Sequence, residues 1–446
     1  MKKVNIYLGI LLFLGTLNTT ILNKNLIWWG MSLFLILLYF FKKIKNIEFL
    51  FLSMLIPSKL IQFLSLFIYV FINFKKIFHI NFKYKEILIF LYYILFVGMI
   101  NCIFNNGSFL NVILQFGIYL IYMLVIIQFE NSDIDYDYFV KFLKYVFWIE
   151  AIISMIQILY FRLIGDFVKG TFISANYLGV YILITLFLIY KKENNIKIFL
   201  YKDKFIILMA IFLLYISDVK HIYGSFILAL IFYWILKSIF KGNLQKYIVV
   251  FAGILILIGT ISCVKLVKVN AVRNIIYKVS ADNAQYIYRQ GLNQKYVYFN
   301  RTIDNLSSYK DIIGIGVGQY GSQIANFRAY DTIYKINGEN NKIFKAYTNP
   351  IYYKGINGLM TETYVNNIKN MSMVMSFPIV SFVPFIAELG IIGYMIFLIL
   401  LQKLCFSSKD YVLVIFFLLI TFFDIYFEIP SVFILLILAI RTGKSY

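Results

Sequence analysis

Apolar runs long enough to cross a membrane alternate with short polar links along most of this chain. The runs cover approximately residues 4–21, 26–41, 86–104, 108–129, 139–160, 172–190, 205–219, 222–237, 247–264, 385–402, 411–427 and 430–440. A helix needs about 20 such residues to cross the hydrocarbon layer. The strict in-out alternation of a barrel strand is absent, so the pattern predicts helices. It breaks in two places. Residues 48–73 have basic flanks on both sides and IPSK in the middle, where Pro57 interrupts a helix. A pair of short helices or a re-entrant hairpin is predicted there. Residues 265–376 form a long polar region. The chain therefore divides into N-terminal transmembrane helices (1–264), a large external loop containing short helices (265–376) and C-terminal transmembrane helices (377–446). The predicted fold is all-α, a polytopic transmembrane bundle of about 13–14 helices.

The leading run, MKKVNIYLGILLFLGTLNTT, has the basic start of a secretory signal. It lacks a small-x-small cleavage site and a second run begins at Leu26, so it reads as a retained first span.

Composition agrees with the pattern. Hydrophobic residues make up 61% of the 446 positions and charged residues 14%, against about 45–50% and about 25% in soluble domains. That excludes an ordinary soluble protein. The net charge of +21 would point to nucleic acid in a soluble chain. Here most lysines sit in short links, so no nucleic-acid partner is expected and the lysines report topology instead. Basic clusters at 42–45, 75–85, 191–204, 237–246 and 441–444 mark cytoplasmic links. The links at 105–108, 161–171 and 217–221, and the region 265–376, then face outside. That region holds fourteen Lys or Arg, which loops longer than about 60 residues tolerate. Cys102, Cys263 and Cys405 form neither a metal spacing nor a disulfide framework.

Arginine is scarce. Of 42 basic residues six are arginines: Arg162, Arg273, Arg289, Arg301, Arg328 and Arg441. Five of them fall on the predicted outside. A guanidinium binds phosphate oxygens through paired hydrogen bonds, so an external site for a lipid-linked phosphate or pyrophosphate is one reading. Solvated loop charges are the other. Two outer links carry further polar clusters. In GDFVKGTFISANYLG (165–179) these are Asp166, Lys169, Ser174 and Asn176; in SDVKHIYGS (217–225) they are Asp218, Lys220 and His221. Ionisable groups at membrane depth are functional suspects, although Asp218 and Lys220 could equally pair and shape a tight hairpin. Glu388 lies in FIAELGIIGY at the start of a run, and Glu150 lies within one. Glu388 could orient an arginine or act as a base; Glu150 is expected to pair inside the bundle.

The stretch DIIGIGVGQYGSQIANF (311–327) carries Gly316, Gly318 and Tyr320. Three readings are open: a phosphate cradle, a strip that packs against helices, or a family signature. A nucleotide P-loop is excluded because no Gly-Lys-[Ser/Thr] follows.

Taken in order, four stretches resemble the O-antigen polymerase and O-antigen ligase superfamily of bacterial membrane proteins. GTFISANYLGVYI (170–182) is similar to its G-x-F-x-x-x-N segment, and ISDVKHIYGSFILAL (216–230) to the next outer hairpin. YFNRTIDNL (298–306) followed by the glycine run resembles its arginine, amphipathic helix and G-x-G-x-G-x-[YF] series. SFVPFIAELGIIGYMIFLILL (381–401) is similar to the E-x-G-[IL]-x-G span after the large loop. The likeness covers roughly residues 140–405, and order and spacing carry it rather than any one motif.

The resemblance implies a GT-C-like glycosyltransferase of the bacterial plasma membrane, multi-pass, with its site facing the periplasm or exterior. It implies a polymerase of undecaprenyl-pyrophosphate-linked oligosaccharide repeats. Arg301, Arg289 and Arg273 would stabilise the departing pyrophosphate, helped by Lys220 and Arg162. Glu388, Asp218 and His221 are the base candidates. Arg328, Asn176, Gly316, Gly318 and Tyr320 complete the substrate-binding set. No cofactor and no metal are expected, since DIDYD (133–137) falls on the cytoplasmic side. The partners implied are the lipid-linked substrate, the bilayer, a flippase and a chain-length regulator. The ligase branch carries a catalytic histidine in its large loop; residues 265–376 contain none, which favours polymerase. A lipid-linked oligosaccharide flippase is the alternative from another class.

Overall fold

The computed structural model describes residues 25–74, 85–104, 107–130, 135–193, 195–240, 242–267, 312–322, 324–325, 382–405, 410–421, 426 and 428–441, with Gly9, Leu14, Gly15 and Asn18 near the start. Arg273, Arg289, Arg301 and Arg328 lie outside the described residues.

Every element among the described residues is helical. In chain order they are α1 (Asn25–Phe40), α2 (Asn46–Met54), α3 (Lys59–Ile72), α4 (Lys85–Phe104), α5 (Phe109–Glu130), α6 (Tyr136–Phe161) and α7 (Ala175–Glu193). Then come α8 (Ile196–Lys202), α9 (Lys204–Ile216), α10 (Lys220–Ile239), α11 (Ile248–Val267), α12 (Phe382–Leu404), α13 (Asp410–Ile420) and α14 (Pro430–Arg441). Among the described residues, five helices are long and apolar enough to cross a membrane. The protein is an all-α, multi-pass membrane bundle. Pro57 sits in the break between α2 and α3. There Gln62 Nε2 donates to the carbonyls of Met54 and Ile56 at 2.9 and 2.8 Å, replacing bonds that the interrupted helix leaves unmade.

Two predicted elements differ. The lysine-rich link KKENNIKIFLYKDK contains the short helix α8, because Asn195 accepts the N–H groups of Lys197 and Ile198 and so caps it. The run expected at 411–427 stops as a helix at Ile420. The Thr421 hydroxyl bonds back to the Leu418 carbonyl at 2.6 Å, a contact that competes with helix continuation.

Helices α7, α13 and α14 form the centre and are buried along nearly their whole described length. Helices that are apolar on all sides must be enclosed by others; here α10 and α11 pack on α13, while α2 and α7 pack on α14. Helices α4, α5, α11 and α12 form a second group joined edge to edge. Small residues let them approach, as association in lipid depends on close packing. A methyl at Gly98 of α4 would stand 2.7 Å from a Val112 methyl of α5.

The two ends of the bundle differ chemically. One end gathers ion pairs: Lys144 with Asp203, Lys191 with buried Asp410, Lys192 with Asp137 at 2.8 Å, and Lys202 with Glu193 at 3.0 Å. The opposite end carries residues 107–108, 162–174 and 217–219 and the glycine run.

Candidate functional site

The glycine run is docked into the bundle rather than held above it. Gly314, Gly316 and Gly318 have φ values of 80°, 87° and 77°, a left-handed region that side chains resist. These alternating turns let the backbone press onto three helices. A methyl on Gly316 would stand 2.8 Å from Gly98 Cα, and one on Gly318 2.7 Å from the Asn111 carbonyl carbon.

The receiving surface is built for this strip. Helix α12 is interrupted at Gly390, with φ 66° and ψ −179°. The interruption exposes carbonyls that a continuous helix would use. Those of Ala387 and Glu388 accept the N–H groups of Ile315 and Gly316 at 2.9 and 3.0 Å. The Tyr93 hydroxyl reaches the carbonyls of Ile313 and Leu389 at 2.9 and 2.8 Å. Asn101 and Asn111 donate to the carbonyls of Gly314 and Gly318 at 3.3 and 3.0 Å. The Gln319 side chain accepts from Ser108 N–H and donates to the Ser108 carbonyl, both at 3.0 Å.

Glu388 closes the clasp. Its Oε2 accepts Gly318 N–H at 2.7 Å, and its Oε1 accepts those of Tyr320, Gly321 and Ser322 at 2.8, 3.1 and 3.1 Å. The carboxylate is buried and engaged by four backbone donors. The glycine run is therefore a helix-packing strip. Its amides at 318 and 320–322 face the protein's own carboxylate, which fills the place a cradled phosphate would need. Gly316, Gly318, Tyr320 and Glu388 come together as one unit.

A second clasp holds the link after α6. Glu150 Oε2 accepts Thr171 N–H at 2.8 Å and its Oε1 the Thr171 hydroxyl at 2.6 Å. Two turns along, Gln157 accepts from Lys169 N–H and Gly170 N–H at 3.0 and 2.9 Å and donates to the Gly170 carbonyl at 2.7 Å. The spacing of Glu150 and Gln157 places both on one face of α6. Glu150 is thus the intra-bundle pairing residue expected of it, with Thr171 as partner.

The two outer links also meet. Gly165 N–H donates to the Ile216 carbonyl at 2.7 Å, and Gly179 admits Val219, whose methyl lies 2.9 Å from where a Cβ would stand. Asp218 has φ 53° and pairs with Lys220 at 2.9 Å, both side chains more than half exposed. Asp166 is exposed at its surface, and partial desolvation by the surrounding links, with the nearby Asp218 charge, raises its carboxyl above the ordinary range. Burial lowers the Lys169 ammonium. Arg162 ends α6 in the left-handed conformation, its N–H on the Ile158 carbonyl at 2.8 Å and its side chain exposed. Asn176 and His221 lie half-buried in the first turns of α7 and α10.

Sequence reasoning passed over the neutral polar partners Asn101, Asn111, Gln157 and Gln319, and it passed over Glu428. Glu428 is buried and accepts from Gln115 Nε2 at 3.2 Å. A legible signal existed: two carboxylates, Asp424 and Glu428, stand where the last two apolar runs meet. Compared with protein-family models, curated proteins and solved structures, the chain matches none of them.

Proposed function

We propose that this chain is a GT-C-like glycosyltransferase that polymerises lipid-linked oligosaccharide repeat units. The glycan on undecaprenyl pyrophosphate is transferred to the next lipid-linked repeat at the outer face of a bacterial plasma membrane. One observation carries most of the weight. Among the described residues, the parts of the stretches that resemble the polymerase superfamily fall into two spatial pairs at the end of the bundle away from the lysine ion pairs. The first pair joins 170–182 to 216–230 where Gly179 admits Val219. The second joins the glycine run to the Glu388 helix. Within each pair, stretches that are separate in sequence are brought into direct contact.

Glycosyl transfer builds negative charge on the departing pyrophosphate, and fixed cations stabilise it without reorganising. Arg301, Arg289 and Arg273 are assigned that task, with Lys220 and Arg162 at the rim. Glu388 is assigned a positioning role, since its lone pairs already serve backbone donors. The glycine strip then anchors the segment that carries the arginines.

The test is a deletion strain of the native host. Surface glycan is sized on a gel, and repeats per lipid carrier are counted by mass spectrometry. Single repeats at the outer face with no long chains are expected. Long chains retained on the carrier would indicate a ligase instead, repeats trapped inside a flippase, and an unchanged glycan would overturn the reading.

A further inference from the structure

On one flank the protein is shorter than a bilayer is thick. That flank is α9, with α6 and α10 packed against it. Helix α9 has 13 residues, about 20 Å at about 1.5 Å each, against a hydrocarbon layer of about 30 Å. Phe205, Leu208, Ile211 and Tyr215 recur every three or four residues and so share one side of it. Each is more than half exposed, so this side faces lipid. Neighbouring α10 is the least buried of the five long helices among the described residues.

Charge closes this apolar belt at both ends. At one end stand exposed Lys204 and Asp203, which pairs with Lys144 of α6. At the other stands Asp218, whose N–H turns back to the Tyr215 carbonyl at 3.2 Å and so adds little length. Lys144 and Arg162 along α6, and Lys220 and Lys237 along α10, bracket belts of about 26 Å. Any tilt shortens all three. The α4–α5 pair differs. Its helices have 20 and 22 residues, about 30 and 33 Å, and residues 87–129 contain no charged side chain.

Long side chains can hide such a shortfall, because Lys204, Lys220 and Arg162 can reach toward water along their apolar stems. Asp166 and Asp218 cannot: one methylene separates each carboxyl from its Cα. Both are exposed, and a carboxylate left in hydrocarbon is costly. Around Asp166, Ile164 and Phe167 are exposed as well, which suits a link lying at the lipid boundary. We propose that the α6–α9–α10 flank thins the bilayer by about 5–10 Å, drawing phospholipid headgroups down to residues 162–167 and 218–220. Their phosphates then meet Arg162 and Lys220 from the side. Belt length alone dictates the thinning, which holds for a polymerase, a ligase or a flippase alike.

The test images the full-length protein by electron cryomicroscopy in phosphatidylcholine nanodiscs with chains of about 18 carbons. The headgroup layer beside α9 is expected to lie about 5–10 Å closer to the membrane centre than the layer beside α4 and α5. Melting temperatures in vesicles with chains from about 14 to about 22 carbons give a second readout. They are expected to be highest in the shorter chains and to fall as the chains lengthen. A level headgroup layer around the whole protein would overturn the proposal, as would a dip centred on α4 and α5. A melting temperature that rises steadily with chain length would overturn it too. Neither readout involves polymer synthesis, so failure here leaves the polymerase reading standing, and loss of that reading leaves the thinning standing.

Discussion

Glu388 Oε2 accepts the backbone N–H of Gly318 at 2.7 Å across 70 residues of sequence. With the three further N–H groups on Oε1, this bond ties the glycine strip to α12. A hydrogen bond to a charged group contributes about 1.5–3 kcal/mol net, and unpaired buried donors are costly. Glu388→Ala is therefore expected to destabilise the protein by on the order of 3 kcal/mol. It should also open residues 312–325 to limited proteolysis. Glu388→Gln, which keeps one acceptor oxygen, should fall between. A wild-type melting temperature and protease pattern for the alanine variant would dismiss the clasp.

Glycine substitutions separate packing from composition. Gly316→Ala and Gly318→Ala meet backbone, Gly98 and Asn111 respectively, and demand a left-handed φ. Both should sharply reduce the yield of monodisperse protein in detergent. Gly117 of α5 has nothing within 4 Å of an added Cβ, so Gly117→Ala is expected to be neutral or to stabilise by up to about 1 kcal/mol. Equal yields for all three would contradict the docking geometry.

The second clasp lends itself to a double-mutant cycle. Thr171→Val removes one donor to Glu150, whereas Gln157→Leu strands two N–H groups and a carbonyl. The glutamine change should lower the melting temperature more. Coupling between Glu150 and Thr171, measured with Glu150→Gln, is expected near the about 0.6–1.7 kcal/mol seen for hydrogen bonds between membrane helices. A coupling of zero would mean that the hydroxyl contact contributes nothing.

Asp166 gives a pH signature. Its carboxyl is raised in the folded protein, so the folded state binds more protons than the unfolded one. Stability from this group is then present at acid pH and lost as pH rises from about 4 through the raised value. Asp166→Asn should be slightly more stable than the parent at neutral pH, with the difference vanishing below about pH 4. Melting curves across that range test the sign; a variant less stable at neutral pH would reverse it.

Lys220 distinguishes structure from binding. Its pair with Asp218 is exposed, and such pairs contribute little stability. Lys220→Met should leave the melting temperature unchanged while weakening undecaprenyl pyrophosphate binding, and Arg301→Ala should abolish polymer with normal protein levels. Full polymer from the arginine variant would remove the leaving-group assignment.

The sequence by itself determined the membrane class, the positions of most helices, the break at Pro57 and the segregation of lysines. These follow from apolar run length, proline and charge, which any window of the chain displays. It also marked Glu150, Glu388 and the glycine run as noteworthy. What it could not display was which groups they meet. The partners of Glu388 are backbone N–H groups, present at every non-proline residue and so without a signature in residue type. Gln115 and Glu428 lie 313 residues apart, and their contact arises because α5 passes the foot of the last short helix. The tertiary structure decided these pairings, since burial obliges each polar group to find a partner wherever the fold brings one.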